Sequence, residues 1–455
     1  MNWKGTRVAV MGLARSGVSA CLFLRKRGAE VMGTDLRNPP ALGSVVSELQ
    51  SAGVELVLGR HPDLGSFDVV VLSPGVEPSL DLIVKAREKG VRILPELELG
   101  ALEAAGRIVC ITGTKGKSTT TTALHAMLRE AGVDARAVGN IGAPITAHVD
   151  GSKDDTVFVT EASSFQLETT RDFHAHCAVF LNLFADHLDR HPSFAAYAEA
   201  KARIFANQNA EDTAVVNGED ARVVELAART RARVIPFRPR TQKTNSRESG
   251  AFFQDGDAVL QNSATTSLFH GADVQIPGAA VRANLLAAAT AAHHFGVDSM
   301  HIKSAVRRFK GVPHTFEKLG EVDGIAFFND SKATTLESVE AALRSFVSPV
   351  HIILGGRLKA GSFASLRGAV ADHARAVYAI GESRDKVRDA LIEVRPVHEC
   401  LTLEEAVFRA FEAANPGDTI LLSPGCSSFD MFRDYAERGE VFRRAFRELS
   451  LRGAA

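Results

Sequence analysis

Gly113-Thr114-Lys115-Gly116-Lys117-Ser118-Thr119 follows the apolar run Ile108–Thr112 and opens a helical pattern. Glycines in such a turn let backbone N–H groups approach an anion closely, and the helix N-terminus adds partial positive charge. A lysine at 117 reaches the terminal phosphates of a bound nucleotide, and the Ser118 hydroxyl suits Mg²⁺. The loop departs from the usual spacing, because Ile111 stands five positions before Gly116 where a glycine is usual. The alternative is a plain strand-to-helix turn with an exposed lysine. Strand before and helix after favour a nucleotide site, so ATP with Mg²⁺ is expected at Gly113–Thr119.

A second group of residues suits a hard cation. Glu161 ends the run Val157–Glu161, and Asn182 is read as the end of the strand Ala178–Asn182, with Asp186 and His187 just beyond. Lys201 follows in the helical pattern Ala195–Ala206. Carboxylate and imidazole at neighbouring strand ends can hold a divalent ion that bridges phosphate oxygens. Taken singly, Glu161 could be a helix N-terminal charge and His187 an ordinary satisfied histidine. His191, His293 and His294 read as structural.

A third site lies near the N-terminus. Val8–Met11 runs into Gly12-Leu13-Ala14-Arg15-Ser16-Gly17, a strand, a glycine turn and a helix start, with Asp35 ending the next strand. This is close to a dinucleotide fingerprint, but Ala14 replaces the glycine that lets the backbone approach a pyrophosphate. A nucleotide diphosphate held by Ser16 and the helix start fits at least as well as a nicotinamide cofactor. Asp35 stands where a carboxylate meets a ribose hydroxyl, and Leu72-Ser73-Pro74-Gly75 ends a strand on the same edge.

These groups need strand ends to hold them. Glu30–Gly33, Val69–Leu72, Ile352–Gly356, Ala376–Gly381 and Thr419–Ser423 complete the series of short apolar runs, alternating with helix-length segments. Such alternation argues βαβ units with parallel sheets covered on both faces. The runs fall into three groups, giving domains over 1–95, 96–312 and 313–455. Arg238–Glu248 is polar and basic without a hydrophobic period, and reads as an exposed insertion or loop.

The chain has 455 residues and a net charge of −1, which gives no pointer to nucleic acid or an anionic membrane. Its five cysteines are scattered without a Cys-x-x-Cys pair, against a disulfide framework or zinc site. No apolar run approaches the ~20 residues that span a bilayer, and the N-terminus enters a strand without a signal-peptide core. A cytoplasmic protein without membrane or nucleic-acid partners is expected.

Taken in order, Thr112–Thr119, Glu161-Ala-Ser-Ser-Phe-Gln-Leu-Glu168, Asn182-Leu-Phe-Ala-Asp-His-Leu-Asp-Arg190, Ala200-Lys201-Ala-Arg-Ile204, Asn329-Asp330-Ser331-Lys332-Ala333-Thr334 and Ser423–Asp430 resemble the Mur ligase family. The Ser-Ser-Phe-Gln-Leu-Glu run resembles the branch that adds glutamate. The resemblance covers nearly the whole chain. It implies an α/β protein of three domains: Rossmann-like at the N-terminus, P-loop ATPase-like in the centre, and Rossmann-like at the C-terminus. It implies that ATP phosphorylates the carboxylate of UDP-N-acetylmuramoyl-L-alanine and that the D-glutamate amine attacks the acyl phosphate, in a monomeric enzyme of peptidoglycan synthesis.

Carried over by matched position, Lys117 holds the β- and γ-phosphates, while Ser118 and Glu161 bind one Mg²⁺. His187 binds a second with Lys201, which the family carbamylates, so that a cation becomes a carboxylate-like ligand. Lys117, Glu161, His187 and Lys201 form the catalytic set. Asn284 faces the adenine and Asp330 the ribose. Arg15, Ser16, Asp35, Arg37 and Ser73 hold the uridine diphosphate, with Asn140, Ser163 and Gln166 on the muramoyl part. Lys332, Thr334, Lys359, Ser428 and Tyr435 form the D-glutamate pocket.

Two positions depart from the family pattern. Val281 stands in Ala280-Val-Arg-Ala-Asn284 where asparagine is usual, and Thr315 in Pro313-His-Thr-Phe-Glu317 where arginine is usual. A lost cation near the nucleotide removes charge stabilisation from the transition state; Arg282 is a candidate replacement. The alternatives are a related or folate-type ligase with another amino acid or acceptor, a silent nucleotide-binding paralogue, and a nicotinamide dehydrogenase with an appended ATPase-like module.

Overall fold

Val8, Ala9, Val10 and Met11 are all fully buried, the signature of a strand covered on both faces. In the computed structural model, which describes residues 2–241 and 249–452, this run is the centre of a five-stranded parallel sheet. Its strands are β1 (Arg7–Met11), β2 (Glu30–Asp35), β3 (Glu55–Leu58), β4 (Val69–Leu72) and β5 (Arg92–Pro95), in the order β3-β2-β1-β4-β5. The order reverses beside β1, which opens a crevice at the C-terminal ends of β1 and β4.

A nine-stranded sheet follows, from β6 (Arg107–Thr112), β7 (Ala135–Gly139), β8 (Val157–Glu161), β9 (Cys177–Phe180), β10 (Thr213–Asn217), β11 (Arg233–Thr241), β12 (Gly250–Gln254), β13 (Asp257–Gln261) and β14 (Thr265–His270). β6 lies between β8 and β9, with Ile111 paired to Glu161 and Thr112 to Phe180. A third sheet has the order β15-β16-β20-β17-β18-β19, from β15 (Glu317–Val322), β16 (Ile325–Asn329), β17 (Val350–Gly355), β18 (Ala374–Ile380), β19 (Val397–Glu399) and β20 (Thr419–Leu422).

The chain divides into two compact units: one of Met1–Gly271 with Ala283–Val306, holding the first two sheets, and one of Ala272–Arg282 with Arg307–Ala455, holding the third. The first unit has an apolar core that runs from Trp3, Val8 and Leu24 through Ile108 and Phe158 to Phe205. In the second, Phe327, Ile353, Leu422 and Phe442 anchor the core.

Four expectations are corrected. The sheets are mixed, because β12, β13 and β14 pair antiparallel, as do β15 and β16; their tight turns at Asp255–Gly256 and Asp323–Gly324 carry positive φ, and two-residue turns connect strands antiparallel. The strand read as Ala178–Asn182 ends at Phe180, leaving Asn182 in the loop beyond it. The helix read as Ala195–Ala206 spans Phe194–Ala202 and tightens into a 3₁₀ turn at Arg203–Phe205. Of the expected loop Arg238–Glu248, residues 238–241 belong to β11 and 242–248 lie outside the described residues. Among the described residues no helix is long and apolar enough to cross a membrane.

Candidate active site

The phosphate loop is built between β6 and the helix Lys117–Glu130. Gly116 caps that helix with φ of 87°, and a Cβ there would overlap the Asn284 side chain, so glycine is required twice over. The first intrahelical bond runs from Thr120 N to Gly116 O at 3.0 Å. The N–H groups of Lys117, Ser118 and Thr119 are therefore left without intrahelical acceptors, as an anion site needs. Asn182 clamps the loop: its Oδ1 accepts from Lys115 N at 2.9 Å and its Nδ2 donates to Lys115 O at 3.0 Å. Thr114 Oγ1 sits 3.1 Å from the Tyr197 hydroxyl. Lys117 folds its Nζ onto the Gly113 and Thr114 carbonyls, each at 3.0 Å, while Lys115 is exposed. The structure sets Asn284 against Gly116 of the loop.

Glu161, at the end of β8, is buried. Its Oε1 accepts from Asn140 Nδ2 at 2.7 Å, and its Oε2 is buried with no hydrogen-bond partner. A buried carboxylate oxygen without a donor is costly, and a divalent cation would remove that cost. Lys201 is 1 % exposed and donates from Nζ to Gly113 O at 2.9 Å, with Thr112 Oγ1 at 3.5 Å. Burial, reinforced by the neighbouring Lys117 charge, pushes its pKa down to about 7. A neutral amine at that position is nucleophilic enough to take up carbon dioxide.

His187 stands at φ of 54° in the loop after β9, half-exposed, with its ring 5.0 Å from that of Phe165. His191 is buried against Ser164 Oγ at 3.0 Å and stacks on Phe165. No group of three or more His, Cys, Asp or Glu side chains able to hold a metal occurs among the described residues. The orphaned Glu161 oxygen fits a cation that also draws on hydroxyl and nucleotide oxygens.

A cavity of about 650 Å³ opens at the C-terminal edge of the first sheet. Its lining includes Arg15, Ser16, Asp35, Arg37, Ser73, Asn140 and Gln166 from the expected set. Ser163 is not on that lining; it caps the turn Ser164–Leu167 in a reciprocal bond with Gln166. A Cβ on Gly17 would overlap the Gly12 carbonyl, so the helix Arg15–Lys26 packs directly on the turn. Val18 N bonds Ala14 O at 2.9 Å, leaving three N–H groups at the helix start for an anion. Ser73 Oγ donates to Gly12 O at 2.6 Å and ties β4 to that turn.

Asp35 lines the cavity with both carboxylate oxygens engaged. Its Oδ1 accepts from Arg37 N and Nε, each at 2.9 Å, and its Oδ2 from Arg37 Nη2 and Leu13 N, each at 2.7 Å. The Arg37 guanidinium holds this carboxyl well below the usual range. With four donors on two oxygens, Asp35 orients Arg37 and the turn.

In the second unit, β16, β20 and β17 are neighbours, so the loops after them share one edge. Lys332 and Thr334 follow β16, Ser428 follows β20, Lys359 follows β17, and Tyr435 opens the helix Tyr435–Arg452. Lys332, Lys359 and Tyr435 are exposed, Thr334 is half-buried and Ser428 is buried. Asp330 is buried: Phe316 N and Ser423 Oγ each donate to it at 3.0 Å, and burial raises its pKa to about 7. Its carboxylate therefore braces the Pro313–Glu317 loop. That loop is strained, with φ of 61° at His314 and 46° at Phe316. Thr315 Oγ1 is buried without a partner.

Two side chains escaped the sequence reading. Arg190 donates from Nη2 to Glu168 Oε1 at 2.9 Å and to Val76 O at 3.2 Å, joining the His187 loop to the cavity wall. His61 lines the cavity beside Asp35. A lone histidine after β3 carries no motif, and nothing in its local sequence could have singled it out.

Family models match three stretches of the chain: the Mur ligase MurD-like N-terminal domain over residues 6–95, the Mur ligase middle domain over 111–292, and the Mur ligase glutamate ligase domain over 315–426. The chain is 40% identical over 461 residues to a UDP-N-acetylmuramoylalanine–D-glutamate ligase of Acidobacterium capsulatum, covering 100% of this chain and 98% of that one. It is 41% identical over 444 residues to the ligase of the same name from Solibacter usitatus, covering 98% of each. Among solved structures, a UDP-N-acetylmuramoyl-L-alanyl-D-glutamate–2,6-diaminopimelate ligase is similar with a TM-score of 0.60 and 18% identity, over 87% of this chain and 95% of that one. The MurF ligase of Thermotoga maritima in complex with ADP gives 0.57 and 15%, over 98% of each chain. These two share the fold. Matched from its first strand to its last sheet and at about 40% identity to whole relatives, the chain belongs to the Mur ligase family.

Proposed function

We propose that this chain is an ATP-dependent amide ligase that adds D-glutamate to UDP-N-acetylmuramoyl-L-alanine, a step of peptidoglycan precursor synthesis. The observation that carries the reading is Asn140: it lines the 650 Å³ cavity and donates to Glu161 at 2.7 Å. One side chain thus joins a cavity suited to a nucleotide diphosphate with the carboxylate beside the phosphate loop. The 40% identity to glutamate-adding relatives supports glutamate over other amino acids and over a folate-type acceptor.

The substrate carboxylate attacks the γ-phosphorus of ATP and ADP departs. The D-glutamate amine then attacks the acyl phosphate carbon, inorganic phosphate leaves, and the nitrogen loses a proton. Two anions must meet, so positive charge is needed between them. Within the Gly113–Thr119 loop, the Lys117 side chain and the N–H groups of Lys117, Ser118 and Thr119 hold the phosphates. Asn284 faces the adenine and Asp330 the ribose. Ser118 and Glu161 would hold one Mg²⁺, and His187 with carbamylated Lys201 a second, and these ions would supply charge neutralisation. Arg15, Ser16, Asp35, Arg37 and Ser73 take the uridine diphosphate, with Asn140, Gln166 and Ser163 toward the muramoyl part. Lys332, Thr334, Lys359, Ser428 and Tyr435 receive D-glutamate. The domains are 1–95, 96–312 and 313–455, and the protein is a cytoplasmic monomer.

The test is phosphate release by purified protein with Mg-ATP and UDP-N-acetylmuramoyl-L-alanine, comparing D-glutamate, L-glutamate and no amino acid. Release that depends on D-glutamate is expected. The buried, unpaired Thr315 hydroxyl, where the family has a cation, favours one competitor: a silent paralogue would bind ATP tightly and release nothing.

A further inference from the structure

The cavity at the edge of the first sheet has a direction. The helix start at Arg15 and Ser16 lies after β1, Asp35–Arg37 after β2, and His61 after β3. In βαβ sheets of this kind the phosphates sit at the first helix N-terminus, and the nucleoside extends toward the ends of the following strands. Leu36, 65% exposed, offers an apolar face at that end. A base laid there meets His61.

The proton positions on His61 follow from its neighbours. Thr34 Oγ1 lies 3.1 Å from the Arg60 carbonyl and 3.0 Å from His61 Nδ1. A carbonyl only accepts, so the single hydroxyl proton of Thr34 goes to Arg60. The second contact therefore requires Nδ1–H to donate to Thr34 Oγ1. Burial holds the His61 pKa below its ordinary value, against the opposing pull of Asp35, so the ring is neutral. Its Nε2 is then a bare lone pair with no hydrogen-bond partner among the described residues. Asp35, the neighbouring acceptor, already receives four donors.

We propose that His61 reads the nucleobase: Nε2 accepts the N3–H of a uracil ring and so selects uridine over cytidine diphosphates. Uracil presents a donor at N3, whereas cytosine presents a lone pair there, which would face the lone pair of Nε2. This assignment rests on the reading of the cavity as a uridine diphosphate site.

Isothermal titration of the full chain with UDP, CDP and N3-methyl-UDP tests it. Wild type is expected to bind UDP about tenfold more tightly than the other two, the value of one hydrogen bond kept against one left unmade. His61→Ala and His61→Phe, the second keeping a ring in place, are expected to bring UDP to within about threefold of CDP, by weakening UDP and by relieving the facing lone pairs in the CDP complex. A variant that keeps the wild-type preference for UDP overturns the role of His61 and leaves the cavity reading standing. Wild type that binds none of the three overturns both.

Discussion

Lys201 combines a basic group with near-complete burial, and replacing it should separate stability from activity. Its pKa is held at about 7 against an ordinary 10.5. At about 1.36 kcal/mol per pH unit, the buried ammonium costs about 5 kcal/mol wherever it is protonated, less the benefit of its bond to Gly113 O. Below pH 7 folded and unfolded chains both carry the proton and the whole cost is present. Between about 7 and 10.5 the unfolded chain holds a proton that the folded chain lacks, so stability rises with pH. Lys201→Met keeps the length of the side chain without the charge, and the Gly113 carbonyl still accepts from Lys117. The expected outcome is a gain of about 2–4 kcal/mol at pH 6, shrinking toward zero by pH 10, together with loss of phosphate release. Urea unfolding in bicarbonate-free buffer at pH 6, 8 and 10 measures it. A variant no more stable than wild type at pH 6, or a gain that does not shrink with pH, would refute the reasoning. Added bicarbonate should narrow the difference for wild type alone if the lysine takes up carbon dioxide.

Glu161→Gln keeps an oxygen for Asn140 but removes the charge beside the orphaned Oε2 position. The expected loss in kcat/KM is at least about a hundredfold with an unchanged melting temperature, and a Mg²⁺ titration identical to wild type would sink the cation role. Asp330 keeps its proton to about pH 7 when folded against 3.8 when unfolded, so its ionisation lowers stability as pH rises through that window, by up to about 4 kcal/mol. Asp330→Asn should flatten this slope in melts at pH 4.5 and 7.5; an unaltered slope would show that another group is responsible. Gly17→Ala would drive a methyl into the Gly12 carbonyl, with an expected cost of about 1–3 kcal/mol and weaker UDP binding by calorimetry. Normal affinity in that variant would mean the helix start does not hold the phosphates.

Much of the site is written locally. Gly116 must be glycine because its φ is left-handed, Lys117 follows it on the first helical turn, and Glu161 sits where an apolar run of a covered strand stops. Each of these depends on a window of about ten residues, within which strand alternation, glycine turns and helix starts are set by backbone sterics. Strand ends are less secure, because an apolar run does not say which of its residues find ladder partners; Asn182 lies beyond β9 for that reason.

Side-chain partnerships across the sheet edge are another matter. Asn140 meets Glu161 because β7 and β8 are neighbours in register, with Gly139 opposite Glu161. Asp35 is committed to Arg37 and Leu13, and His61 receives its tautomer from Thr34 on an adjacent strand. Arg190 reaches Val76 across 114 positions of chain. No local pattern encodes such pairs, because they depend on strand order and register, which the packing of remote segments settles together. The chemistry available to this protein is legible in its residue types and spacing, whereas which atoms remain free to perform it follows from how the folded strands place them.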